Sequence, residues 1–322
     1  MRLAFSLSGH RPSRSAVAAA VAAEEAGFDE VWVTEDYVER GAFALAGAIA
    51  QATSSVQVGI GVVNPWTRHP VVLAMEFATL DELSGGRALA GLGASNERWM
   101  TGQLGIPFDR PLSRLAESVS VVRRLLAGEH VRHSGPAYTV DAALSFRPLR
   151  PDLPIVLGVK GPRALELAAE SADGVLLSIL AGPSYIESVR SVVGPSMRLA
   201  GYVGLSVADS GAEARDRIRP LVARFLGIHG DHLITRSAGL SASSCAEFRA
   251  GLVAGAPRVD LVTDDLLDRL VAAGTPDEVA AAFARFAAAG LDVAVVRDDP
   301  DVAPEEILQQ AADAMAGGSV GS

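Results

Sequence analysis

The sequence predicts an α/β protein, a (β/α)8 TIM barrel with insertions in its βα-loops, and three observations carry that expectation. Short β-branched or apolar runs alternate with amphipathic, alanine-rich stretches almost from end to end, as parallel strands joined by crossover helices require. Eight such runs are present, which is the barrel number. The chain has 322 residues, of which 49% are hydrophobic and 20% charged, so it is long enough and apolar enough to bury a core of that size.

The expected strands are 3–7, 30–34, 56–62, 87–93, 155–159, 174–178, 198–206 and 293–297. Between them, 13–26, 43–52, 71–83, 112–126, 163–172, 185–193, 212–226 and 277–289 carry an apolar stripe opposite a polar face and read as helices. Local signals agree with the pattern. Ser13 is placed to cap the first helix and Gly27 to end it; Thr275-Pro276-Asp277-Glu278 supplies a cap, a proline at the first position and acids in the first turn. Two segments exceed a minimal barrel: 129–150, a short β excursion, and 229–274, with helical and loop-like pieces. The expected organisation is one domain over 1–315 followed by a disordered tail, 316–322.

The bulk properties exclude several partners. The formal charge is 28 − 38 = −10 with no basic stripe, which argues against nucleic acid. No apolar run approaches the length of a membrane span, and the first residues lack the pattern of a signal peptide, so a cytoplasmic location is expected. Cys245 is the single cysteine and reads as a structural thiol. The pairs His130/His133 and His229/His232 lack a third ligand at a metal-binding spacing, so no metal is expected. His69, in TRHP, reads as a structural hydrogen-bonding residue.

In a parallel barrel the ligand site lies at the C-terminal ends of the strands. There the sequence places GIGVVNPWTRHP (59–70), LGASNERW (92–99) and LGVKGPRALELAAESADGV (157–175). The GVKGPR turn is the most legible of these: Gly158, Val159, Gly161 and Pro162 shape a strand-to-helix turn whose N–H groups suit an anion, and Lys160, the only lysine, adds charge with Arg163. Gly93 permits a close backbone approach and Asn96 offers a two-way hydrogen-bonding amide. Ser8 and His10 fall at the rim, and Trp66 and Trp99 are candidates for an apolar substrate wall.

In order and spacing, VGIGVVNPWTRHP, TLDELSGGRALAGLG and GVKGPRALELAAESADGVLLS resemble the luciferase-like monooxygenase superfamily, and within it the F420-dependent reductases similar to methylenetetrahydromethanopterin reductase. The resemblance implies a barrel that holds the deazaflavin F420 in its mouth and moves a hydride between it and a small organic substrate, with C=C, C=N or C=O reduction as the chemistry. FMN with oxygen, as in a monooxygenase, is the alternative, and a non-catalytic, cofactor-less barrel is a second. It implies a non-prolyl cis peptide at Gly61-Val62, forming a bulge behind the ring, with Asn64 beyond it. It implies phosphate at Gly158–Arg163, with Leu176 and Leu177 nearby, and a homodimer packed through 43–52 and 71–83. Relatives usually read aspartate-histidine at Glu35-Asp36; this chain departs from that pattern. Asp36 therefore stands as a cofactor contact and as one candidate proton donor, and His10, whose imidazole suits proton transfer, as the other.

Overall fold

The alternation of apolar runs and amphipathic stretches resolves, in a computed structural model describing residues 1–299 and 302–317, into eight parallel strands closed on one another. In chain order the elements are β1 (Arg2–Leu7), α1 (Ser13–Glu25), β2 (Glu30–Val33), α2 (Ala42–Ala52), β3 (Gln57–Ile60), α3 (Pro70–Ser84), β4 (Ala88–Gly93), α4 (Glu97–Leu104), α5 (Pro111–Leu126), the hairpin β5 (Val131–Ser134) and β6 (Thr139–Ala142), β7 (Ile155–Gly158), α6 (Pro162–Ser171) and β8 (Gly174–Leu177). They continue as α7 (Pro183–Val193), β9 (Arg198–Val203), β10 (Leu205–Val207), α8 (Gly211–His229), α9 (Leu233–Ser237), α10 (Ala242–Val253), a 3-10 turn (Val259–Leu261), α11 (Asp264–Leu270), β11 (Ala272–Gly274), α12 (Pro276–Ala288), β12 (Val293–Arg297) and α13 (Pro304–Gly317). The barrel order is β1-β12-β9-β8-β7-β4-β3-β2. All eight expected strands lie in it.

The described residues form two compact units, Ala4–Leu176 and Met1–Leu3 with the chain from Leu177 onward. In the first unit, β2 and β4 are buried along their whole length, as strands covered on both faces must be. Helix ends follow local chemistry. His69 Nδ1 accepts the N–H of Val71 at the start of α3, ahead of Pro70, and Gly85 ends that helix at φ +66°. The end away from the ligand-binding loops is pinned by cations: Arg87 donates to the carbonyls of Ala50, Thr53 and Val56, and Arg150 binds the carboxylate of Asp81, only 1% exposed, and the carbonyl of Ala88. The insertion at 129–150 is the β5–β6 hairpin, entering between α5 and β7. Its tip is clamped by Glu117 of α5, which accepts from His133 and from the N–H groups of Ala137 and Tyr138, while the Tyr138 hydroxyl donates to Pro65 O beyond β3.

In the second unit the expected strand 198–206 is two strands. β9 stays in the barrel, and after Gly204 the chain turns off as β10 to pair with β11 in a separate two-stranded parallel sheet. Gly204 marks the break because a Cβ there would meet Val271 and Ile218 at 3.0 and 3.1 Å. The insertion at 229–274 lies between β9 and α12, in a βα-connection, and packs with α8 through α10 and α11. Both α8 and α12 therefore fall between β9 and β12. α12 contacts α7 and α13, so it takes the place of the barrel helix and α8 belongs to the excursion; α13, unexpected from sequence, follows β12 as the closing helix. Thr275 caps α12 as expected, and the structure adds a reciprocal bond from Glu278 that completes a capping box. Ser13 does not cap α1: the cap position is Pro12, with no side-chain bond, and Ser13 is already inside the helix. Of the expected tail, Ala316 and Gly317 close α13 and 318–322 lie outside the described residues.

Candidate functional site

The C-terminal strand ends of the first unit bring most of the expected residues to one place, and the centre is a bulge after β3. β3 pairs with β4 through Val58–Ala88 and Gly59–Leu89, and the chain rejoins β4 at Val63–Leu92. Three residues on one side thus face two on the other, the pattern of a β-bulge. The extra length is taken up at Gly61-Val62, whose peptide bond is cis. The Val62 side chain turns onto three glycines: a Cβ on Gly93 would lie 2.5 Å from Val62 Cγ2, one on Gly158 3.0 Å from both its methyls, and one on Gly91 3.2 Å from Cγ1. Glycine at 91, 93 and 158 makes the notch in which the bulge is seated.

The loop after β2 arches beside it. Glu35 is bound through both oxygens by Arg68, which also reaches Glu76 Oε2 of α3 at 3.0 Å and lies 5.1 Å from the Phe43 ring centroid. Burial alone would lower the Arg68 guanidinium, but the Glu35 bonds and the Glu76 charge hold it above its ordinary value. The Glu35 carboxylate is thereby committed to structure, and Asp36 beside it is half-buried. Asn64 is 3% exposed: its Oδ1 accepts from the N–H of Trp66 (2.9 Å) and Thr67 (3.1 Å), and its Nδ2 donates to the Tyr37 hydroxyl. Both ends of the amide thus shape the loop itself.

Beyond β4, Ser95 adopts φ +56°, uncommon for a residue with a side chain, and the Asn96 Oδ1 caps α4 by accepting the N–H of Trp99 at 3.1 Å. Only the oxygen of Asn96 is used there. Beyond β7, Val159 is buried, Gly161 precedes α6 in extended conformation, Pro162 occupies its first position and Arg163 is exposed. Burial pushes the Lys160 ammonium below the usual lysine range, a shift that an adjacent anion would reverse. Leu176 and Leu177 are buried residues of β8, Leu176 in this unit and Leu177 opening the second.

The remaining expected residues are placed as follows. Ser8 is half-buried directly after β1. The His10 side chain is 69% exposed and is bound 2.8 Å from Glu39 on the neighbouring loop, so its imidazole belongs to a surface latch that Arg40 reinforces by donating to the Gly9 and His10 carbonyls. Trp66 stacks on Phe108 at 4.8 Å, and the Arg114 guanidinium lies 5.3 Å from the Trp66 ring centroid and 5.5 Å from that of Tyr138; Trp99 packs edge-to-face against Tyr37 at 5.6 Å. His69 is a structural hydrogen-bonding residue, as expected, and its bond is the cap of α3. The remaining histidines take separate partners: His130 with Asp141, His133 with Glu117, His229 with the carbonyl of Ile179, and His232 at the start of α9.

Three residues of this region are not among the candidates that the sequence analysis names. The hydroxyls of Thr34, directly after β2, and Ser95, after β4, are buried with no hydrogen-bond partner among the described residues, at strand ends on either side of the bulge. Their neighbours Asp36 and Asn96 drew the attention. Tyr37 is the third; its aromatic ring in VTEDY was a detectable cue.

A parallel barrel with its glycine notch, orphan hydroxyls and half-buried cation gathered at one end of the strands defines a ligand-binding barrel of the kind that hosts cofactor enzymes. The chain belongs to the luciferase-like monooxygenase family, whose sequence profile matches residues 2–293. It is 31% identical to 5,10-methylenetetrahydromethanopterin reductase of Methanolobus tindarius, over 80% of this chain and 81% of that protein. It is 30% identical to an F420-dependent glucose-6-phosphate dehydrogenase of Amycolatopsis mediterranei, over 87% and 86%. The coenzyme F420-dependent tetrahydromethanopterin reductase of Methanopyrus kandleri shares the fold, with a TM-score of 0.85 at 22% identity over 97% of each chain.

Proposed function

We propose that this protein is an F420-dependent oxidoreductase acting on a small organic substrate. The observation that carries the reading is the seat at the strand ends: a bulge held by glycines, with unsatisfied hydroxyls of Thr34 and Ser95 on its two sides and Lys160 beyond β7. A flat polar ring with a phosphate-bearing tail fits that donor set, since buried hydroxyls without partners are costly unless a ligand satisfies them. The relatives support the choice of cofactor, and they act on different substrates, so substrate is left to the loops.

Bound there, the deazaflavin would supply hydride transfer, here in the direction of C=N or C=O reduction, with C=C as a further acceptor. The protein's part is to hold and orient. The Val62 bulge supports one face of the ring, Asp36, Gly93 and the free amide end of Asn96 meet its polar edge, Leu176 and Leu177 back the site, and the turn Gly158–Arg163 receives the phosphate. Asn64 keeps the bulge loop in shape, and the Trp99 and Trp66 rings with Ser8 bound the substrate space. The reading takes the chain as one domain over 1–315, located in the cytoplasm and independent of nucleic acid. It pairs two copies through α2 and α3, where Val72, Met75 and Leu83 are exposed beside an apolar groove of about 240 Å³.

The test is a fluorescence-quenching titration of the purified apoprotein with F420 and with FMN, repeated on Lys160→Ala. F420 binding that weakens about 10- to 150-fold in the variant is expected, the loss of one charge-assisted bond. Preference for FMN would turn the reading to a monooxygenase, and binding of neither would reject it.

A further inference from the structure

We propose that Tyr37 is the proton donor of this site, delivering its phenolic hydrogen to the heteroatom of a C=N or C=O substrate; the proposal rests on the hydride-transfer reading above. The position follows from topology. Tyr37 is rooted in the loop after β2, its hydroxyl meets Asn64 beyond β3, and its ring packs on Trp99 of α4, beyond β4. β3 lies between β2 and β4 in the barrel, so the phenol crosses the end of β3, where the Val62 bulge stands.

The direction of its hydrogen bond follows from Asn64. Two backbone N–H groups on Oδ1 fix the amide, so Nδ2 faces Tyr37 and the Tyr37 oxygen accepts. The phenolic hydrogen is left to donate elsewhere. The hydroxyl available to it, Thr67 Oγ1, is 3.3 Å away, long for O–H···O, so a substrate heteroatom can outcompete it. Burial foremost, then the charges of Glu35 and Asp36, raise the phenol above its ordinary range, which keeps it neutral and donating at physiological pH. The imidazole is worse placed: His10 is turned to the surface against Glu39, whereas the phenol of Tyr37 is half-buried between Asn64 and Trp99.

The step balances. Hydride from the reduced deazaflavin forms the new C–H bond, the π pair of C=X moves onto X, and the Tyr37 O–H bond breaks as X–H forms. The substrate gains two electrons and the deazaflavin loses two. The tyrosinate, held by the hydrogen of Asn64 Nδ2, recovers its proton from water.

The experiment uses protein labelled at tyrosine Cζ with carbon-13. The chain has four tyrosines, so Tyr37→Phe assigns the signal of Tyr37 by its disappearance. The expected results are that F420 quenching occurs in both proteins with affinities within about threefold of each other, that the Tyr37 signal moves when the wild type is saturated with F420, and that single-turnover reoxidation of reduced F420 by acetone falls about 100-fold or more in Tyr37→Phe. A Tyr37 signal that stays in place at F420 saturation, or a variant as fast as the wild type, overturns the proposal while leaving the cofactor assignment intact. A wild type that fails to quench F420 refutes the reading beneath it instead.

Discussion

Replacing Gly93 by alanine tests whether the notch under the bulge is a functional surface. A Cβ at that position would lie 2.5 Å from Val62 Cγ2 and 3.2 Å from Gly158 O, whereas carbon–carbon contacts settle at about 3.5–4.0 Å. Val62 would have to retreat by roughly an ångström. It has little room to do so: a β-branched side chain is stiff about its first torsion, and its methyls already fill the space over Gly91 and Gly158. Overpacking of this kind costs about 1–3 kcal/mol. If the ring rests on the bulge and the same strain opposes its bound position, F420 affinity drops about 5- to 150-fold. Quenching titrations and urea denaturation measure the two effects separately. Trimming the obstacle with Val62→Ala in the Gly93→Ala background should recover most of the loss, a coupling of about 0.5–3 kcal/mol between the two positions. The reasoning fails if Gly93→Ala leaves both affinity and urea midpoint at wild-type values, or if the two substitutions are merely additive.

Other expectations are more local. Glu24 accepts from the N–H groups of Ser54, Ser55 and Val56 and from the Ser55 hydroxyl; burial opposes its charge, but these bonds prevail and hold its carboxyl at about 2. Because that value lies below the ordinary 4.5, its contribution is complete above about pH 4.5 and disappears as pH falls toward 2. Glu24→Gln should flatten the acid limb of a plot of urea midpoint against pH. Arg150→Met strands the Asp81 carboxylate, 1% exposed, without its cation, and is expected to destabilise the protein by about 3–5 kcal/mol in urea melts. For Lys160, whose ammonium is lowered by burial, an arriving anion restores protonation; F420 affinity should therefore weaken as pH rises through the lysine's lowered range, and Lys160→Ala should abolish that slope.

The barrel was legible because its strands are apolar runs and its helices keep their period, properties that survive without knowledge of tertiary contacts. Failures came where tertiary contact overrode local pattern. At 198–206 a mostly apolar stretch reads as one strand, but its second part leaves the barrel to pair with β11, a partner far along the chain. α8 has the stripe of a barrel helix, yet it packs on α10 and β11, because which of two amphipathic helices faces the barrel depends on partners far along the chain. α4, with few apolar residues, is called into being by the Asn96 cap and the Gly105 stop at φ +67°. In the site, glycines and charged residues announced themselves by type. Thr34 and Ser95 did not, since an orphan hydroxyl is a property of surroundings, and neither did the exposure of His10, which depends on Glu39 across two loops.

The separation between floor and loop bears on how such a barrel can change its chemistry. The floor is mostly backbone: Gly91, Gly93 and Gly158 accommodate Val62, and no ionisable group takes part in the notch. The donor loop is built from side chains, with Glu35 locked to Arg68 and Tyr37 to Asn64. On the proposal above, a substitution at Tyr37 alters proton delivery without disturbing the seat, while one at Gly93 alters the seat and leaves the loop's bonds in place. The first class should change turnover at constant cofactor affinity, and the second should change affinity. A barrel partitioned in this way can replace the usual histidine by aspartate and still hold its cofactor, provided that a neutral donor stands over the bulge; in this chain the phenol of Tyr37 has the geometry for that role.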